Sequence, residues 1–325
     1  MRKLILPLSL AAAVAVPAML TGTAATAKDM VTVAVTAIVE HPALDACRDG
    51  VKEALEEAGY KDGENLTFLY ESAQGNPATA TQIARKFVGE SPDVIVPIST
   101  PSAQAVAAAT RSIPIVFSAI TDPVGAQLVK QLEKPGGNIT GLSDFLPLAD
   151  QVALIQEITP DVKTIGYVYN PGETNSVSTL KALREIAGKA GIDVVESTAT
   201  RTSEVQQAMR ALVGKADAAY VPTDNTIVSA FEAAVKVAQE NKLPLYAADT
   251  DSVSRGALAA LGFNYFDVGK QTGEKVVQIL KGTPVGEINV EVAKGTNLVV
   301  NPASAEKMGV TIPAAVIERA TKVVE

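Results

Sequence analysis

Several short polar clusters close apolar runs in this chain. Ser99-Thr100-Pro101-Ser102 follows Val94 to Ile98, and Ser118 to Asp122 follows Ile115 to Phe117. Thr223-Asp224-Asn225 follows Ala218 to Val221, and Asp249-Thr250-Asp251 follows Leu245 to Ala247. Hydroxyls placed just before a helical run, beside the free N–H groups of the helix start, suit an anion; the helix dipole alone contributes about 0.3–1 kcal/mol. Carboxylates at the matching turns of Asp224 and Asp249, with Glu40 as a third, suit a cation. If Ser99, Thr100, Ser102, Ser118 and Thr121 form one wall of a crevice and Asp224, Asn225 and Asp249 the other, the pair of walls matches a zwitterion such as an α-amino acid. Each residue also has a plainer reading, because Ser, Thr and Asp are the usual caps of their own helices.

Other chemistries find little support. His41 is the sole histidine, and no G-x-S-x-G turn accompanies it, so a nucleophile with a histidine base has no basis here. Before Pro42 a histidine reads most simply as a helix-start residue. One His and one Cys leave only carboxylates for a metal, with no calcium-loop spacing, so no metal site is expected. No glycine pattern for phosphate cradling appears, and no cofactor is expected. The formal charge of −8 argues against nucleic acid or an anionic membrane as partner. Aromatic residues are only 4% and tryptophan is absent, which weakens a sugar site built on ring stacking. Cys47, alone, cannot form an internal disulfide and reads as a small core residue.

The elements that must carry these turns repeat. Short β-branched runs alternate with longer amphipathic stretches, Val31 to Val35 with Ala43 to Ala58, Leu66 to Tyr70 with Thr79 to Val88, and Val94 to Ile98 with Ala103 to Thr110. Such alternation predicts parallel strands with helical crossovers. The pattern restarts at Ile165, and "VIVPISTPSAQAVAAAT" lies over "AYVPTDNTIVSAFEAAV". The fold expected is α/β, with two similar Rossmann-like domains of parallel strands. In open parallel sheets ligands sit beyond the carboxyl ends of the strands, where all these turns fall. The Gly- and Pro-rich stretch around 133–146 ends the first unit, and extended runs near Lys294-Gly295-Thr296 suggest that the chain crosses more than once. We expect one lobe from residues 28–144 plus about 267–293, and a second from 145–266 plus about 294–325, joined by a multi-crossover hinge.

Residues 1–27 read as a cleavable secretory signal: Arg2 and Lys3, an apolar stretch broken by Pro7 and Pro17, then Ala25-Thr26-Ala27. Its removal takes the formal charge from −8 to −10, since Arg2 and Lys3 are lost. No cysteine lies near the cut for lipid attachment, so a free periplasmic protein is expected.

"EHPALDACRDG", "PISTPSAQAV", "SAITDPVGAQLV", "GGNITGLSD" and "VPTDNTIVSA" together resemble the substrate-binding proteins of ABC transporters in the tryptophan and aromatic amino-acid uptake group, over Val31 to Val324. The resemblance implies a type I periplasmic-binding fold, three hinge crossovers, no catalysis, and delivery of a captured solute to an inner-membrane permease. It implies Ser99 and Thr100 near a ligand carboxylate, Ser118 and Thr121 on the adjoining strand end, and Asp224 with Asn225 opposite. An acidic residue, Asp224 or Asp249, would meet the ammonium. Tyr167, Phe145, Phe263 and Tyr265 are candidates for an aromatic wall, although buried rings are more often core. The function expected is therefore the capture of an aromatic or branched α-amino acid by a monomer. A periplasmic sensor or an enzyme on the same scaffold is the alternative.

Overall fold

The structure, a computed structural model, describes residues 30–325; the expected signal lies outside the described residues. The chain opens with β1 (Val31–Ala37), α1 (Pro42–Glu57), β2 (Leu66–Ser72), α2 (Pro77–Glu90), β3 (Val94–Ile98), α3 (Thr100–Ala109), β4 (Ile115–Ile120) and β5 (Ile139–Ser143). It continues with α4 (Leu148–Ile158), β6 (Thr164–Tyr169), α5 (Thr174–Lys189), β7 (Asp193–Thr198), α6 (Val205–Arg210), β8 (Ala218–Val221), α7 (Asn225–Ser229), α8 (Phe231–Glu240), β9 (Leu245–Ala247), α9 (Asp251–Ser254) and β10 (Ala259–Phe263). Then follow α10 (Tyr265–Leu280), β11 (Glu291–Val292), β12 (Thr296–Val300), α11 (Pro302–Lys307), α12 (Ala314–Glu318) and β13 (Lys322–Val323).

Two sheets result, with strand orders β11-β5-β4-β3-β1-β2 and β13-β12-β10-β9-β8-β6-β7. All pairings are parallel except β10 with β12. The inner strands β1, β3 and β4 of the first sheet are largely apolar runs, as burial on both faces requires. The chain passes from the first sheet to the second between Ser143 and Leu148, returns at Asn264 into α10, and crosses again between Val292 and Thr296.

Small residues make the return possible. Helix α10 lies against α1 at near-backbone contact: a Cβ on Gly50 would sit 2.0 Å from the Phe266 carbonyl oxygen, and one on Gly269 2.0 Å from that of Cys47. Beneath this crossing, Ser118 Oγ lies 3.0 Å from Cys47 Sγ and 2.7 Å from Thr272 Oγ1, joining β4 to both helices. Burial pushes the Cys47 thiol up to about 12, so it is an inert core group. In the second lobe Tyr167, Tyr169 and Tyr220 cluster, with Tyr167 and Tyr220 stacked at 6.0 Å. Each fully buried Val, Leu, Ile or Phe contributes about 1.5–3 kcal/mol.

Pro114 and Pro244 directly precede β4 and β9, where their missing N–H is harmless. Pro97 lies inside β3, between β1 and β4. The β3–β4 ladder pairs only Ile95 with Ile115 and Ile98 with Ser118, so the proline falls in a gap.

Candidate functional site

The carboxyl ends of the two sheets face each other across one crevice. From the first lobe it is lined by His41, Ala43 and Leu44 after β1, Ser99 and Thr100 after β3, Ala119 and Thr121 at the end of β4, Asp144 after β5, and Tyr265 at the start of α10. From the second come Asn175 on α5, Thr223, Asn225 and Val228 around the start of α7, and Asp249 after β9.

Hydrogen bonds bridge the lobes at its rim. Thr121 Oγ1 lies 3.3 Å from Thr223 Oγ1, Ser178 Oγ donates to Asp122 Oδ2 at 2.9 Å, and Gln104 Nε2 reaches Thr174 Oγ1 at 3.5 Å. Asp122 is itself held by the Gly125 N–H, and a Cβ on Gly125 would strike its carboxylate at 2.1 Å.

The backbone is strained where it meets the crevice. Ser99, the residue before α3, has φ 78° and ψ 153°, and Ala119 has φ 56°. Such conformations cost non-glycine residues about 1–3 kcal/mol each and concentrate at functional sites. At Ala119 the cause is visible: between Phe117 and Ile120 the β4–β5 register slips, a bulge that turns the strand end toward the crevice. Ser99 makes no side-chain cap to α3, although it is 3% exposed. Its Oγ, Thr100 Oγ1, Asn175 Oδ1 and His41 Nδ1 are buried without a hydrogen-bond partner, all on crevice-lining residues. Leaving one such group unsatisfied costs about 1–3 kcal/mol, and four of the seven such side-chain atoms among the described residues belong to residues lining this one crevice.

Two carboxylates border the same space. Asp144 accepts from Thr121 Oγ1 at 3.1 Å and Tyr265 Oη at 2.6 Å; burial raises its pKa, and those two bonds pull the other way. Asp249 accepts from Ser252 N at 2.8 Å and Ser252 Oγ at 2.6 Å, and burial raises it too. Tyr265 is pushed well above the usual phenol range by burial first and then by Asp144. His41 is held down to about 4 by burial and then by the Arg255 charge, so its ring is neutral. Two desolvated carboxylates and a set of unpartnered hydroxyl and ring atoms can clamp a small molecule with a positive and a negative end. No group of three or more His, Cys, Asp or Glu side chains suited to a metal occurs among the described residues.

Of the residues singled out from the sequence, Ser99, Thr100, Thr121, Asn225 and Asp249 line the crevice, and four do not. Ser118 is turned into the core against Cys47 and Thr272. Ser102 is buried on α3 without reaching the crevice lining. Glu40 is exposed and takes a hydrogen bond from Gln74. Asp224 is the main correction. Its Oδ1 accepts from Ile227 N at 2.9 Å, and its Oδ2 from Asn170 N at 2.7 Å and Ser176 Oγ at 2.6 Å, so it caps α7 and ties it to its own lobe. The expected split of donors and carboxylates between lobes also fails, because Asp144 belongs to the first. Among the candidate aromatics only Tyr265 lines the crevice; Tyr167 and Phe263 are core, and Phe145 is exposed.

Sequence reasoning missed Asp144, Asn175 and a site role for His41. Asp144 stands one residue past β5 in a stretch read only as a crossover, yet the same rule of strand ends applied to β5 finds it.

Two parallel-sheet lobes, joined by repeated crossings and closing on one buried polar crevice, define a type I periplasmic-type solute-binding protein. Family comparison agrees over almost the whole described chain: residues 32–324 match the ABC transporter substrate binding proteins, and the chain belongs to that family, whose members bind solutes and are not enzymes. A tyrosine-binding protein of Clostridioides difficile (strain R20291) is 46% identical over 269 residues, covering 83% of this chain and 78% of that one. The structure of an ABC domain from Streptococcus pneumonia in complex with L-Trp aligns with a TM-score of 0.88 at 38% identity, covering 91% of this chain and 100% of that one. A ligand-free, open substrate binding protein with adhesive properties from Clostridium difficile aligns with a TM-score of 0.70 at 44% identity, covering 91% and 99%.

Proposed function

We propose that this chain captures an aromatic α-amino acid in the crevice and delivers it, as a periplasmic monomer, to the permease of an ABC importer. The observation that carries the reading is the uncapped start of α3, where buried, unpartnered Ser99 Oγ and Thr100 Oγ1 share a crevice with the buried carboxylates of Asp144 and Asp249. The ligand carboxylate goes to the hydroxyls and free N–H groups of α3. Its ammonium goes to Asp249 or Asp144, where the low local dielectric strengthens the pairing.

Relatives support the aromatic side chain, one named for tyrosine and one solved with L-Trp. They also support a hinge. The open, ligand-free relative has the higher identity of the two structures yet the lower overlap, which fits lobes that have rotated rather than refolded. In this reading residues 28–144 with about 267–293 move as one body against 145–266 with about 294–325. The rim bridges from Asp122 to Ser178 and from Thr121 to Thr223 are made only on closure.

The test is a thermal-shift screen of the purified chain against amino acids, organic acids and sugars. A ligand at 100 times its Kd adds about 2.7 kcal/mol of stability. We expect L-tyrosine or L-tryptophan to give the largest shift; a shift from a sugar alone, with none from any amino acid, would refute the proposal.

A further inference from the structure

His41 stands apart from the charged end of the crevice. In the first sheet the strand ends run from Asp144 (β5) through Thr121 (β4) and Ser99 (β3) to His41 (β1). Three strand spacings separate the ends, on the order of 14 Å. A head group held between Asp144 and Ser99 leaves His41 at the side-chain end of this row. Around His41 the lining turns apolar, with Ala43 and Leu44 from α1 and Val228 from α7.

His41 precedes α1 without a side-chain cap, and its Nδ1 is buried and unpartnered. The side chain of Asn225 lies near the ring, and its Nδ2 donates to Glu173 Oε2 at 2.6 Å. The Asn225 side chain favours the protonated ring, against the larger effects of burial and the Arg255 charge. A neutral imidazole has one N–H and one bare lone pair, and with the proton on Nε2 the buried Nδ1 is an acceptor that only a donor can satisfy.

We propose that His41 sets side-chain specificity: its Nδ1 accepts a hydrogen bond from the ligand's ring substituent, so tyrosine or tryptophan, which carry an O–H or N–H, is selected over phenylalanine. This rests on the aromatic amino-acid reading above. A phenylalanine ring would fill the same apolar space and leave Nδ1 unsatisfied.

Calorimetric titration of the full chain with L-tyrosine, L-tryptophan and L-phenylalanine tests it, in wild type, His41→Leu and His41→Asn, with melting temperatures as the folding control. Wild type should bind tyrosine or tryptophan at least about tenfold more tightly than phenylalanine, as expected for one unpaired buried acceptor. His41→Leu should bring that preference within about threefold, chiefly by weakening the preferred ligand, and His41→Asn, whose Oδ1 lies near the place of Nδ1, should restore part of it. Equal wild-type affinities, or a preference that survives in His41→Leu, would overturn the assignment. A loss in His41→Leu that is equal for all three ligands would place the ammonium at Nδ1 and overturn it too. Failure of wild type to bind any of the three is a separate result, which would overturn the amino-acid reading itself.

Discussion

The starts of α3 and α7 follow one plan and put it to opposite uses. In each, a buried strand with a proline near its end runs through a short polar turn into a helix, Pro97-Ile98-Ser99-Thr100 in one lobe and Pro222-Thr223-Asp224-Asn225 in the other. Asp224 has an ordinary extended backbone, φ −95° and ψ 116°, and its carboxylate receives three hydrogen bonds from its own lobe. Ser99, in the equivalent place, has a left-handed φ, makes no cap, and leaves its hydroxyl unpartnered beside that of Thr100. One turn is complete within the fold. The other leaves its hydroxyls without a partner in the fold, and in the proposed function the strain at Ser99 is the cost of holding a ligand there. Similar local sequence thus divides into scaffold and site according to which way the polar atoms face.

Substitutions at the two turns should separate stability from affinity. The largest effect is expected for Asp224→Ala, which strands Ile227 N, Asn170 N and Ser176 Oγ; chemical denaturation should show a loss of about 3–5 kcal/mol, as for a buried network in which three donors lose their acceptor. Thr100→Val should do the reverse. Removing an unsatisfied buried hydroxyl leaves the melting temperature of the empty protein unchanged or higher, while calorimetry should show a roughly 10–100-fold loss of amino-acid affinity, about 1.5–3 kcal/mol for a bond to a charged group. If Thr100→Val unfolds the protein and Asp224→Ala only weakens binding, the two roles have been exchanged.

The carboxylates extend the comparison to pH. Asp249 has a folded-state pKa raised by burial, so in the empty protein it takes up a proton more readily than in the unfolded chain. Its contribution therefore favours folding as pH falls through the raised value toward the ordinary 3.8 and opposes folding as pH rises. An ammonium placed against it lowers that pKa, so binding releases protons and affinity falls as pH drops. Titrations in buffers of different ionisation enthalpy should detect the release, and Asp249→Asn should reduce it. His41 has the opposite sign. Its folded pKa of about 4 lies below the usual 6.5, so its contribution is present above 6.5 and is lost as pH falls to about 4. An imidazole NMR titration with a midpoint near 6.5 would contradict its buried, neutral state.

The smallest effect is at the strained turn itself. Ser99→Gly should stabilise the empty protein by about 1 kcal/mol by relieving the positive φ, while lowering affinity through loss of Oγ.

The fold was legible because its period was. Alternating β-branched and amphipathic runs, written twice, predict two parallel sheets, and the rule that ligands lie beyond strand ends reaches Ser99, Thr100, Thr121, Asn225 and Asp249. The direction of a side chain at a strand end was not legible. Ser118 and Thr121 both border the β4 bulge, yet Ser118 turns into the α1–α10 crossing and Thr121 toward Asp144. Whether Asp224 faces its helix or a ligand depends on Asn170 and Ser176, 54 and 48 residues away in sequence. Tyr265 reaches Asp144 only because the chain returns to the first lobe and seats α10 on α1, a contact whose glycines carry no local signal of their partner.

The most direct measurement is a double cycle: wild type and Thr100→Val, each titrated calorimetrically with L-tyrosine and with tyramine, which lacks the carboxylate. If the start of α3 holds the carboxylate, Thr100→Val weakens tyrosine binding by about tenfold or more and leaves the already weak tyramine affinity unchanged. An equal loss for both ligands, or tyramine binding as tightly as tyrosine in wild type, would contradict the account.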